Sequence, residues 1–122
     1  MTKPEVLYKF LSGFGLAAYP DTSVPTDAVF PYLTYSPSFD SVDTQVSIPV
    51  NLWYRTEEEL APTLKAQEIS DVIGRGGTVL PCDGGYLWIK RGFPWCQNMS
   101  DESNTNIKRR YINLVVEYLT AD

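Results

Sequence analysis

The sequence predicts a single α+β domain, residues 1–122, with two helices and four to five strands. Three observations carry that expectation. Val46 to Arg55 alternates its side chains with period two, the pattern of a strand with one face in a core. Two further segments, one near the N-terminus and one from Thr56 to about Ile73, carry apolar residues at helical spacing. A chain of 122 residues supports one core and not two, and a hydrophobic content of 43% is enough to fill it.

Thr2 is placed to cap a helix whose first turn accommodates Pro4, because the donor that proline lacks would have no partner there. Val6, Leu7, Phe10, Leu11 and Phe14 form its apolar stripe, and it ends near Ser12, stopped by Gly13 or Gly15. Gly13 to Ala18, GFGLAA, has the letters of a dinucleotide fingerprint. That chemistry needs its glycines between a strand and a helix N-terminus; here they follow a helix and lead into a Tyr19-Pro20-Asp21 turn, so the match is accidental. Tyr19 to Thr26 reads as a loop, and Ala28 to Tyr35 as a strand with an irregular start at Pro31. Ser36 to Thr44 is a polar, acidic hairpin tip. Its Asp40 and Asp43 lack the glycine turn and terminal glutamate of a calcium loop.

In the alternating strand Val46, Ile48, Val50, Leu52 and Tyr54 form one face, against Ser47, Pro49, Asn51, Trp53 and Arg55. Pro49 removes a backbone donor, which predicts an edge strand or a bulge near the middle. Trp53 on the outer face of an edge strand suggests that another chain covers it. Thr56 and Glu59 then form a capping box, and Glu57, Glu58 and Glu59 suit the positive end of a second helix. Its apolar side is Leu60, Ala61, Leu64, Ile69, Val72 and Ile73, and Gly74, Gly76 and Gly77 end it. Pro62 predicts a kink or a start later than Thr56.

Asp83-Gly84-Gly85 turns a hairpin between Thr78–Cys82 and Tyr86–Arg91, with Leu87 and Ile89 inward and Trp88 and Lys90 opposite. Gly92 to Asn106 reads as a long polar loop rooted in Phe93 and Trp95, and loops of that length in a compact domain commonly serve a function. Ile107 to Leu119 is the last strand. Ile112, Leu114, Val116 and Tyr118 share one of its faces, apolar enough to place it centrally in the sheet.

A net charge of −5 repels polyanions. The cationic cluster Lys108, Arg109 and Arg110 alternates faces on a strand, which argues against a nucleic-acid groove. The chain has no histidine, which removes His-based acid–base catalysis, Ser-His-Asp and Cys-His arrangements, and His-containing zinc sites. Two cysteines cannot complete a four-ligand zinc site and no phosphate-loop motif is present, so neither metal nor cofactor is expected. No apolar run spans a bilayer and no leader opens the chain; the expected compartment is a cytosol, with Cys82 and Cys96 as reduced, buried thiols. A carboxylate pair drawn from Asp40, Asp43, Asp83 and Asp101 is what remains for catalysis. Nothing in the sequence puts two of them in one cleft, and the chain is not expected to be an enzyme.

The elements run helix, strand, acidic hairpin, alternating strand, acid-capped helix, Gly-Gly, short hairpin, long polar loop, terminal strand. With the strings VNLWYRTEEE, DGGYLWIKRGFPWCQNMSD and RRYINLVVEYLTAD in that order, the chain resembles the tail terminator, or tail completion, proteins of long-tailed bacteriophages with non-contractile tails. The similarity covers nearly the whole chain. It implies a four- to five-stranded, mostly antiparallel sheet with two helices packed on one face. It also implies a virion protein, assembled in the host cytoplasm, that forms a homo-hexameric ring on the head-proximal end of the tail tube. Such a ring stops tube polymerisation and docks to the head connector or stopper, while DNA passes through its lumen without specific binding and no membrane is involved.

Within that resemblance Phe10, Phe14, Leu64 and Ile69 would cover one sheet face, and Trp53, Trp88 and Tyr111 on the other would meet a neighbouring subunit. Asp40 and Asp43 would face the lumen. Phe93, Trp95, Gln97 and Asp101, in the long loop, would touch an adjacent ring. Two competing readings stand beside this one: another neck or tail component, such as a head–tail joining protein or tube subunit, and a small carboxylate-based hydrolase.

Overall fold

Helix α1 (Lys3–Ser12) starts where local chemistry dictates. The Thr2 hydroxyl accepts from Glu5 N while the Glu5 carboxylate accepts from Thr2 N, a reciprocal capping box, and Gly13 closes the other end. Val6, Leu7 and Leu11 are buried, and Phe10 meets Phe14 edge to face at 5.3 Å. The structure is a computed structural model and describes residues 1–100 and 106–122.

Strand β1 (Ala17–Pro20) follows and pairs in parallel with β2 (Tyr32–Tyr35). The expected loop at Tyr19–Thr26 thus begins two residues later, after Pro20, and the sheet gains a strand. Four residues are too few to display a period, and pairing with β2 is what makes this segment extended. The strand expected from Ala28 is correspondingly shorter, starting at Tyr32 after a cis Phe30–Pro31 bond.

Strand β3 (Thr44–Arg55) is not at an edge: it lies between β2 and β6 (Ile107–Thr120), antiparallel to both. Pro49 is tolerated for a local reason. Its carbonyl accepts from Ser36 N at 3.0 Å, and a strand residue points its nitrogen to the same flank as its carbonyl. That flank lies just past Tyr35–Val50, the last β2–β3 pair, so the ladder loses no bond.

Helix α2 (Leu60–Ile73) starts four residues after Thr56, which puts Pro62 in its first turn, where it is harmless. The Thr56–Glu59 capping box does not form. Thr56 Oγ1 accepts instead from Glu58 N at 3.2 Å, and the Glu58 carboxylate accepts from Ala61 N at 3.2 Å. The buried face is Pro62, Ala66, Ile69, Ser70 and Ile73, while Leu60, Leu64 and Val72 are 63%, 57% and 54% exposed. Leu64 therefore does not cover the sheet. A buried arginine on the helix side, Arg110, decides the rotation, with the exposed Arg91 on the same side. Arg110, 2% exposed, donates from Nη2 to Glu59 Oε2 at 2.5 Å and Thr63 Oγ1 at 3.1 Å, and Arg91 donates to Ser70 Oγ at 2.8 Å. A buried guanidinium without partners costs more than leucines left in water, so the small, hydroxyl-bearing face turns inward.

Strands β4 (Thr78–Cys82) and β5 (Gly85–Ser100) form the expected hairpin. At Gly85 a Cβ would stand 2.0 Å from the Leu119 carbonyl oxygen, so only glycine fits. The long loop expected from Gly92 is instead the second half of β5, which continues along β6 to Ser100 after a bulge. Residues 92–95 of the bulge lie opposite Asn113 alone, and Asn113 Nδ2 donates to the Pro94 carbonyl at 2.7 Å.

The described residues form two helices and a six-stranded sheet in the order β1-β2-β3-β6-β5-β4, one strand more than the upper expectation. All pairings are antiparallel except β1–β2. Leu7 and Leu11 of α1, Ala66 and Ile69 of α2 and Ile48, Leu52, Ile112 and Val116 of the sheet share one core, so both helices pack on one face.

Candidate functional site

With both helices on one side, the alternation of β3, β5 and β6 sends every second side chain to a face that neither helix covers. Trp53, Trp88 and Tyr111 all stand there, each half-buried. Trp53 is held on three sides. Its Nε1 donates to Thr34 Oγ1 at 3.0 Å, its ring stacks on Tyr32 at 6.3 Å and 19°, and the Arg109 guanidinium lies 5.3 Å from its centroid. Tyr32 in turn meets Phe30 at 5.2 Å and Tyr19 at 5.9 Å, and Arg55 lies 4.8 Å over Phe30. Burial in this stack, with Tyr19 adding to it, pushes the Tyr32 phenol up. The result is a ladder of three rings, Trp53, Tyr32 and Phe30, closed at each end by an arginine, with Tyr19 against its middle ring.

Trp88 stands at the other end of the face. Its Nε1 donates to the Gly76 carbonyl at 2.9 Å, and Lys90 Nζ lies 3.9 Å over its ring while bonding Glu117 at 3.0 Å. Tyr111 sits between the two tryptophans, in register with Asn51 on one side and the exposed Gln97 on the other. Tyr32, Phe30, Arg55 and Arg109 were not singled out by sequence reasoning. The available signal was the register: Tyr32 pairs directly with Trp53, as does Arg109 from the opposite side.

The Lys108, Arg109, Arg110 run does alternate. Lys108 and Arg110 turn to the helix side, where Glu59 lies 3.8 Å and 2.5 Å away, and Arg109 turns to the open side. The hydrogen bond from Arg110, more than the nearby charges, holds the Glu59 carboxyl below its ordinary range.

Asp40 and Asp43 are exposed, but their loop is not a free tip. Val42 N and Asp43 N donate to the carbonyls of Thr120 and Tyr118 at 2.7 and 2.9 Å, the Tyr118 hydroxyl donates to the Ser38 carbonyl, and Lys3 Nζ donates to the Asp40 carbonyl at 2.8 Å. Val42 and Asp43 take left-handed φ values of 54° and 60° to make this fold-back. Asp83 accepts from the N-terminal ammonium at 3.0 Å and borders a shallow cleft with Lys3, Phe39 and Asp122, not with Asp40 or Asp43.

Phe93, Trp95 and Gln97 lie in β5 and not in a loop, and they do not act together. Phe93 is 96% exposed on the bulge, Trp95 packs against the core, and Gln97 lies beside Tyr111. Asp101 lies outside the described residues. Cys82 and Cys96 are free thiols, half-buried where full burial was expected, and burial pushes both up. Among the described residues no three His, Cys, Asp or Glu side chains gather as a metal site, and no helix is long and apolar enough to cross a membrane. Comparison of the chain with protein-family models, curated proteins and solved structures returned no match.

Proposed function

We propose that the protein is a ring-forming structural component whose copies join through the helix-free face of the sheet. The observation that carries the reading is the one-sided placement of the helices, which leaves Trp53, Trp88 and Tyr111 on the side that neither helix covers. Aromatic and arginine side chains with few carboxylates are the composition of an interface centre. The aromatic ladder is also held in place before any partner arrives, which lowers the ordering cost of association.

The resemblance to tail terminator proteins supplies the setting. In this reading a homo-hexamer, part of a virion and assembled in the host cytoplasm, caps the head-proximal end of a phage tail tube, ends its polymerisation and docks to the head connector. Asp40 and Asp43 face the lumen, where carboxylates keep passing DNA from adhering. The two-helix, mostly antiparallel architecture supports this reading, being the one the resemblance implies.

Light scattering on the purified protein tests the contact. Wild type should form rings and Trp53→Lys should give a folded monomer; rings from the variant would count against the face. Adding the protein to polymerising cognate tail tubes tests the setting. Tubes should stop growing, and an unchanged length distribution would remove the terminator role.

A further inference from the structure

The open face has a counterpart on the same molecule. Helix α2 buries Ala66 and Ser70 and turns Leu60, Leu64 and Val72 outward, each more than half exposed. These fall at i, i+4 and i+12, with Glu68 at i+8, so they form one stripe along the helix. An outward apolar stripe is the reverse of what a surface helix normally shows.

Charge divides the same way. The strand residues that project from the open face include Arg55, Lys90 and Arg109 against one acid, Glu117, a net +2. Glu117 is engaged by Lys90, and among the described residues neither Arg55 nor Arg109 meets a carboxylate. In the segment from Glu57 to Arg75, Glu59 is taken up by Arg110 and Lys108. That leaves Glu57, Glu58, Glu68 and Asp71 against Lys65 and Arg75, a net −2, with Lys65 paired to Glu68 at 3.1 Å. One layer of sheet and core separates the two surfaces, so one chain cannot bring them together.

We propose that the open sheet face of one copy seats the outer side of helix α2 of the next, so that copies join front to back. The inference rests on the ring-forming reading and supplies the other half of its contact. Leu60, Leu64 and Val72 lie against the aromatic side chains, and Glu68 and Asp71 come within reach of Arg55 and Arg109. The stripe runs about 18 Å along the helix, enough to cover the cluster of Tyr32, Trp53 and Tyr111 on three neighbouring strands. Trp88, opposite Glu117, lies about 26 Å further along β6 than Arg109, the partner of Trp53. Two open faces pressed together would set Arg55 and Arg109 in one half of the contact against the same cations in the other. Front-to-back joining pairs opposite charges instead. It is also a heterologous contact, the kind that generates rings when the rotation closes.

The test uses two charge-reversed chains, Arg55→Glu with Arg109→Glu on the sheet and Leu64→Arg with Asp71→Lys on the helix, and sedimentation over a concentration series. Wild type should self-associate. Each variant alone should lose association by more than about tenfold in Kd, and an equimolar mixture should regain it, because each brings the surface the other lost. If the helix variant associates like wild type, front-to-back joining is wrong while the open face remains a contact. If wild type stays monomeric throughout, the ring-forming reading fails and this inference with it. Should a charge-reversed chain lose its far-UV circular dichroism, Arg109→Gln and Leu64→Ser take its place with the same expected losses, and wild-type-like association of Leu64→Ser would again overturn the proposal.

Discussion

Leu114 and Val115 are neighbours in β6 and opposites in the fold. Leu114 is 1% exposed beneath the helices, while Val115, one residue on, is half-buried on the face they leave open. The covered side is sealed by aliphatic side chains such as Ile48, Leu52, Ile112 and Val116 with few polar atoms. The open side is assembled from rings and cations that lie on one another: Tyr32 on Trp53, Arg109 on Trp53, Lys90 on Trp88. One face is finished by the chain itself and the other is only pre-arranged. Stability should therefore depend on the first and association on the second.

The largest expected effect is on the covered side. Leu114→Ala should lower the unfolding free energy by about 2–5 kcal/mol, through lost transfer energy and the cavity left behind, as read from urea unfolding. A loss under about 1 kcal/mol would break the contrast.

Arg110→Met should cost less than Leu114→Ala, yet change the acid limb of stability. Glu59 is held below its ordinary range in the folded chain, so its contact with Arg110 adds stability above the unfolded pKa. That contribution disappears as pH falls through the lower, folded value. Urea midpoints followed into acid should drop more steeply for wild type than for the variant, and parallel curves would show that Glu59 does not anchor α2.

Thr2→Ala removes one half of the capping box of α1, away from both faces of the contrast, and should cost about 1 kcal/mol with faster amide exchange confined to the first turn. The smallest effect belongs to Val115→Ala, within about 0.5–1 kcal/mol of wild type for the monomer. If it approached the cost of Leu114→Ala, the open face would be a second core and not a docking surface.

Where structure is local, the sequence was readable. Thr2, Pro4 and Gly13 mark both ends of α1, and the Asp83-Gly84 turn places Leu87 and Ile89 in the core. The alternation of β3, β6 and the first half of β5 assigned their faces correctly, so Trp53, Trp88 and Tyr111 were assigned together to the face opposite the helices. The misreadings share a cause: a partner distant in the chain. Strand β1 exists because β2 lies beside it, and Gln97 to Ser100 are extended because β6 offers Lys108 to Tyr111 as partners. Pro49 suggested an edge, yet the place where β2 ends, Tyr35, decides that the missing donor is harmless.

Helix α2 is the sharpest case. Its leucines identified an apolar side, and they face out. By itself the sequence determined the two helices, the long alternating strands and which of their side chains share a face, because φ/ψ preference, capping and period are properties of neighbouring residues. Tertiary structure alone decided that Arg110 would be buried next to α2. Once there, Arg110 needed acceptors within about 3 Å, and the face that begins with Glu59 and Thr63 offers them. The leucines were left outside because a buried charge is more demanding than an exposed methyl group.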